Sequence, residues 1–276
     1  MQLKATKKRN IILIVIIALF TVFTMFPIYW MVCTSFSSIA DLYHKQSLLP
    51  GKLTLAGYIG LFRETNFRHY YLNSLIVSGL STLIALPISF LGAFSLIRLK
   101  WRGQNFLKSI VLWTYVLPEV ILVIPLYVIL NSIHLLNSTI GLVLTFLIGS
   151  TPFCTWLLMG YFQGIPKELE DSAKIDGCNI LSMIMRIILP VSAPGVVTAG
   201  IYAFNLSWAL YLYPVVFITQ ESKQLLAPGI VMLQIGDMFP WDQIMAAGVL
   251  ACLIPGIVYT IGQKYVVQGL TLGAVK

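Results

Sequence analysis

Apolar residues along this chain gather into six long runs, at residues 10–33, 73–97, 107–131, 139–161, 195–218 and 243–262. Each is near the roughly 20 residues with which an α-helix crosses the hydrocarbon core of a bilayer. The pattern predicts an all-α membrane protein with six transmembrane helices. One polar interruption stands out in the second half, PKELEDSAKIDGCNILSMIMRIILP at 166–190. Its first part, 167–176, predicts a short charged helix with Leu169 and Ala173 on one face. Gly177 ends that helix, because glycine takes the left-handed conformation at little cost. Asn179 then serves as N-cap of a second helix, in which Ile180, Met183, Ile184, Ile187 and Ile188 follow the spacing of an amphipathic face. Pro190 and Pro194 punctuate the passage to the next apolar run. The expected product is a helix-turn-helix at a membrane surface with its turn in water.

Composition supports the membrane reading. The chain is 58% hydrophobic and 10% charged, with a mean hydropathy of +0.87, against about 25% charge in soluble domains. A net charge of +8 would fit nucleic acid in a soluble protein, but here the bases read as topology determinants. Thirteen Lys and Arg residues fall on one side of the six runs, including Lys4, Lys7, Lys8, Arg9, Arg98, Lys100, Arg102 and Lys108; five fall on the other. The richer side is cytoplasmic by the positive-inside rule, so both termini and the 166–190 turn are expected inside. The basic start and first run exceed the length of a signal-peptide core and lack a small-residue cleavage site, so the run reads as a retained span. Cys33, Cys154, Cys178 and Cys252 have no metal-ligand or redox spacing and read as small core residues. No metal ligands and no catalytic cluster are predicted.

The domain layout follows. Residues 1–36 form the N-terminal tail and first span, and 37–72 an external loop. Residues 73–276 form a five-helix core with the charged loop at 164–194 and a cytoplasmic tail at 263–276. The external loop contains TLAGYIGLF at 54–62, suited to a short helix lying on the bundle. A second external segment, 219–242, contains an apolar piece at 225–235, either a short helix or a re-entrant element.

Asp171-Ser172-Ala173, followed by Asp176-Gly177 and Leu189-Pro190, resembles the E-A-A cytoplasmic loop of bacterial ABC importer permeases, with Asp for Glu and Ser for Ala. The ending QKYVVQGLTLGAVK and the segment Asn73-Ser74-Leu75-Ile76-Val77 are similar to carbohydrate-importer permeases related to the maltose transporter. The resemblance implies a type I importer permease with a cytoplasmic coupling helix, in a bacterial cell membrane. It implies four kinds of partner: a homologous second permease, two ATPase subunits, an extracytoplasmic solute-binding protein and lipid, with no nucleic acid. It also implies that the tail inserts between the ATPases. No cofactor is expected on this chain, which has no G-x-x-x-x-G-K-[ST] phosphate loop; ATP and Mg2+ would sit on the ATPases. By resemblance Glu170, Asp171, Ser172, Ala173, Asp176 and Gly177 couple to an ATPase, the acids pairing with basic groups of that partner.

Residues of the solute pathway are candidates on chemistry. Glu119 is the only acid within a predicted span, about twelve residues into the third run, or roughly 18 Å along a straight helix. An ionisable group at that depth is a functional candidate by default, the bland alternative being a structural hydrogen bond. Pro118 and Pro125 flank it, and broken helices can line a cavity. Tyr202 and Asn205 share a helix face beside Trp208, and Tyr115 joins them as a candidate. Relatives usually carry W-N-E or W-N-D where this chain has Trp208-Ala209-Leu210, a departure that leaves open whether the sugar pocket lies on this subunit or on its partner. His134, at the outer end of the third run, reads as interfacial. An importer permease for an oligosaccharide is the reading; a glycerol-phosphate-type solute and a secondary transporter are the alternatives, and a membrane enzyme lacks its cluster of catalytic groups.

Overall fold

The computed structural model describes residues 2–44, 52–234, 236 and 239–274. The 45–51 part of the external loop, the Ile235 end of the apolar piece at 225–235, and the last two residues of the tail lie outside the described residues. The described secondary structure is helical, without a strand. In chain order the helices are α1 (Gln2–Ser35), α2 (Ile39–His44), α3 (Ala56–Glu64), α4 (Phe67–Arg98), α5 (Gln104–Val116), α6 (Glu119–Ser132), α7 (Thr139–Gly164) and α8 (Glu168–Ile175). There follow α9 (Ile180–Val191), α10 (Ala193–Ala209), α11 (Leu212–Phe217), α12 (Leu226–Val231) and α13 (Trp241–Ala274).

Among the described residues four helices are long and apolar enough to span a bilayer by themselves: α1 over Ile12–Ser35, α4, α7, and α13 over Trp241–Tyr265. The count is six when each of two bent pairs is taken as one span: α5 with α6, bent by 102°, and α9 with α10, bent by 78°. The bend between α5 and α6, and a separate break after α10, correct two of the expected straight spans. The third run breaks at Leu117, which is extended (φ −65°, ψ 127°), because the residue before a proline is pushed out of the helical region. The fifth run stops at Ala209, and Leu210 is extended. Pro214 has no N–H to offer the carbonyl of Leu210, and its ring crowds that carbonyl.

The chain forms two compact units. One contains Met1–Phe67 and Ile230–Leu253. From Ile12 to Tyr29 its α1 is apolar on every side and exposed, as suits a helix whose solvent is lipid. The external loop folds back on the start of α13. Tyr43 Oη donates to the Phe239 carbonyl at 3.0 Å, and Gln243 Nε2 donates to Glu64 Oε2 at 3.2 Å. Gly57 of α3 lies so close to Asp242 that a side-chain carbon there would be 2.8 Å from its backbone.

The other unit contains Arg68–Gly229 and Ile254–Lys276. Its centre is α7, packed on α5, α6, α10 and α11. On α10 the small residues Gly195, Ala199, Ala203 and Ser207 recur every four positions and are all buried, which lets two backbones approach as membrane helices do. Cys154 Sγ of α7 reaches the Ala199 carbonyl at 3.4 Å. One apolar cluster joins Val77, Leu126, Leu142, Phe146, Tyr213 and Phe217. A second joins Phe94, Leu158, Phe162, Ala173, Met183, Ile184 and Ile188, and so carries the core into the charged turn. Cys154 is core as expected, but Cys252 is exposed.

Candidate functional site

The charged turn is built as two helices joined at Gly177. Its φ of +79° is a left-handed value that favours glycine. The Cys178 N–H donates to the Ala173 carbonyl at 2.9 Å, which closes the end of α8. Asn179 Oδ1 accepts from the Ser182 N–H at 2.8 Å and caps α9. Within α9 the stretch Ile184–Ile188 forms a π-helical turn, with Leu189 N–H donating to the Ile184 carbonyl. Pro190 follows directly and has no N–H of its own. The buried face of α9 holds Met183, Ile184 and Ile188, whereas Ile180 is 60% exposed.

Two expectations about this turn need correction. The buried face of α8 is Glu170 and Ala173, and Leu169 is 41% exposed. Glu170 does not face outward to meet a partner's basic group. Its Oε1 lies 2.6 Å from Arg98 Nε of the same chain, with both side chains under a tenth exposed. Asp171 is exposed and pairs with Lys174 at 3.1 Å, one helical turn on. That leaves Asp171, Ser172, Asp176 and Gly177 on the open side of the turn, together with Ile175 and Leu181, which are 87% and 70% exposed.

The second candidate region is the α5–α6 break. Glu119 is the first residue of α6, where the helix dipole favours a carboxylate. It does not lie midway along a straight span, so the depth expected from residue count does not apply. A side-chain carbon built at Gly149 of α7 would lie 3.6 Å from Glu119 Oε1 and 3.5 Å from Leu206 Cδ2 of α10. Gly149 therefore leaves open the space beside the carboxylate. Tyr213 Oη donates to the Glu119 carbonyl at 3.4 Å.

An aromatic platform adjoins the break. Phe153 of α7 has its ring centroid 3.8 Å from Tyr202 of α10, 5.1 Å from Tyr115 of α5 and 5.8 Å from Trp156. Two of the predicted pathway residues, Tyr115 and Tyr202, thus meet through a ring that the sequence did not single out. Tyr115 and Trp156 present about half their surface. Trp208 is elsewhere: it is buried, stacked on Phe204 at 5.6 Å and edge-on to Tyr71 at 5.6 Å. Asn205 is half-buried on α10. His134 takes a positive φ of 56° in the turn after α6.

The family model described as "binding-protein-dependent transport system inner membrane component" matches residues 85–272. The chain belongs to this family. The match covers the α5–α6 break, the charged turn and all but the last residues of α13. Among its relatives, the sulfoquinovosyl glycerol transport system permease protein SmoH of Agrobacterium fabrum is 36% identical over 252 residues, 91% of this chain and 88% of that protein. The trehalose/maltose transport system permease protein MalG of Thermococcus litoralis is 29% identical over 271 residues, 97% of each chain. A crystal structure of a bacterial ABC transporter involved in the import of the acidic polysaccharide alginate shares the fold. It has a TM-score of 0.82 at 22% identity, covering 95% of this chain and 98% of that one.

Three residues of this inner membrane component escaped the sequence reading. Arg98 carried the signal of a topology charge and nothing more. Phe153 lies in a run of apolar residues, where an aromatic ring is ordinary. Gly149 has no charge or turn around it. The tail, read as a segment distinct from the last span, continues α13 as one helix to Ala274.

Proposed function

We propose that this inner membrane component is the permease subunit of an ATP-driven importer for a carbohydrate, forming half of a translocation pathway. What carries the proposal is the family match together with two near-full-length relatives whose names specify sugar-containing solutes. The solute class is a glycoside, either an oligosaccharide or a small glyceryl sugar; the latter finds support in the relative named for sulfoquinovosyl glycerol. The charged turn is the contact through which separate ATPase subunits move the permease, with the termini and the turn in the cytoplasm. Asp171, Ser172, Asp176 and Gly177 form the face that the partner meets, and Glu170 and Ala173 fix that face from behind. A homologous permease completes the pathway, and a solute-binding protein delivers the sugar. ATP and Mg2+ belong to the ATPases. Glu119, Tyr115 and Tyr202 contribute to the pathway: aromatic faces pack on sugar C–H groups, and the carboxylate accepts hydroxyl hydrogen bonds.

The test is reconstitution in proteoliposomes. Expressed alone, the chain should neither hydrolyse ATP nor transport. With its ATPases, second permease and solute-binding protein, sugar should stimulate ATP hydrolysis. ATPase activity in the purified lone chain, or transport driven by an ion gradient without ATP, overturns the proposal.

A further inference from the structure

Arg98 is the last residue of α4, and its guanidinium bonds to two other elements at once. Nε meets Glu170 Oε1 on α8 at 2.6 Å, and Nη2 donates to the carbonyl of Ile165, the residue that ends α7, also at 2.6 Å. The Glu170 contact is a close ion pair in which Oε1 receives no aligned hydrogen bond, whereas the planar guanidinium gives the Ile165 bond a defined direction. The side chains of Arg98 and Glu170 are 6% and 9% exposed. On the same elements Ala173, Phe94, Leu96, Phe162 and Ile165 are buried in one apolar cluster. An apolar pair of similar volume could stabilise such a site equally well, since burying two charges costs most of what their attraction returns. The ion pair adds a charge-specific attachment of the short charged helix, and the Ile165 bond ties the ends of the two long helices together.

We propose that Arg98 and Glu170 are positioning residues that lock α8 to the ends of α4 and α7, so that a push on the exposed side of the turn moves two membrane helices as one body. The inference rests on the reading of the turn as the ATPase contact. It differs from that reading in the role of Glu170, which acts inside the permease and not across the subunit boundary. Breaking the lock leaves the outer face, with Asp171, Asp176, Ile175 and Leu181, able to hold the ATPase. Attachment is then retained while stimulation by solute is lost.

The experiment uses the full complex in proteoliposomes. Glu170→Gln should keep the ATPase bound through purification but lower solute-stimulated hydrolysis, and transport per ATP, by about tenfold. The exchanged pair, Arg98→Glu with Glu170→Arg, should recover part of the lost coupling. Loss of ATPase attachment in Glu170→Gln, unrelieved by the exchange, would instead make Glu170 a direct ATPase contact. Unchanged stimulation in Glu170→Gln would make the pair idle. Should these variants fail to assemble, a pair of spin labels at the exposed positions of Lys100 and Lys174 tests the same point in a chain that keeps Arg98 and Glu170. The label distance should stay constant between the nucleotide-free and ATP-trapped complex, and a change of several ångströms overturns the lock. A complex that never retains its ATPase, even with the unaltered chain, refutes the underlying reading and not this inference.

Discussion

Tyr70 donates its phenolic O–H to Glu221 Oε1 at 2.6 Å, joining the first turn of α4 to a segment 151 residues further on. The same helix face continues the attachment. Asn73 Nδ2 donates to the carbonyls of Ser222 and Gln224 at 2.9 and 3.1 Å, and Ser74 Oγ accepts from the Leu226 N–H at 2.7 Å. These contacts give the Asn73-Ser74 pair a physical role: it fixes the segment that leads into α12. A hydrogen bond to a charged group contributes about 1.5–3 kcal/mol. Tyr70→Phe should therefore raise amide hydrogen exchange over residues 219–226 and leave exchange in α8 and α9 unchanged. Equal exchange in both proteins would show that the bond does not hold the segment.

Glu119 opens α6 beside the space left free by Gly149. If its carboxylate binds solute hydroxyls, Glu119→Gln should raise the solute concentration for half-maximal transport by about tenfold, the value of one charge-assisted hydrogen bond. The amount of assembled complex should stay the same. Unchanged transport kinetics in a fully assembled complex would assign the carboxylate to structure.

Gly177 occupies the left-handed region at the point where α8 gives way to α9, with no neighbour within 4 Å of a built side-chain carbon. Space is not the constraint there; backbone conformation is. A β-branched residue at this φ costs roughly 1–2 kcal/mol, enough to tilt or melt an exposed turn. Gly177→Val should leave membrane levels near normal and sharply reduce both ATPase co-purification and solute-stimulated hydrolysis. Normal attachment together with normal stimulation would rule out coupling through this turn.

Gly195 tests the packing of α7 on α10. A side-chain carbon there would lie 2.6 to 2.9 Å from three ring atoms of Tyr161. The ring atoms concerned are those nearest the backbone and cannot swing away cheaply. Gly195→Ala should destabilise the protein by about 1–3 kcal/mol, the usual cost of overpacking, read as a lower melting temperature in detergent. Tyr161→Ala in the same chain should restore part of the loss, since it removes the obstruction.

Some of this molecule was legible in the residues alone. The lengths of the apolar runs, the left-handed glycine at 177 and the cap at Asn179 are local properties. A run either matches bilayer thickness or does not, and φ at one residue depends on its own side chain and its nearest neighbours. The position of the 166–190 turn, and its likeness to a known loop, could be read for the same reason. Tertiary structure decided what depends on residues far apart in the chain. Glu170 and Asp171 are adjacent acids with the same local chemistry, yet one is buried against Arg98 and the other is exposed with Lys174. Trp208 is buried between Phe204 and Tyr71 of α4, and Phe153 is the meeting point of two tyrosines because α7 packs on both α5 and α10. Charge and aromaticity are written in the sequence, whereas the direction each side chain faces is set by helices that the sequence lists far apart and packing brings together.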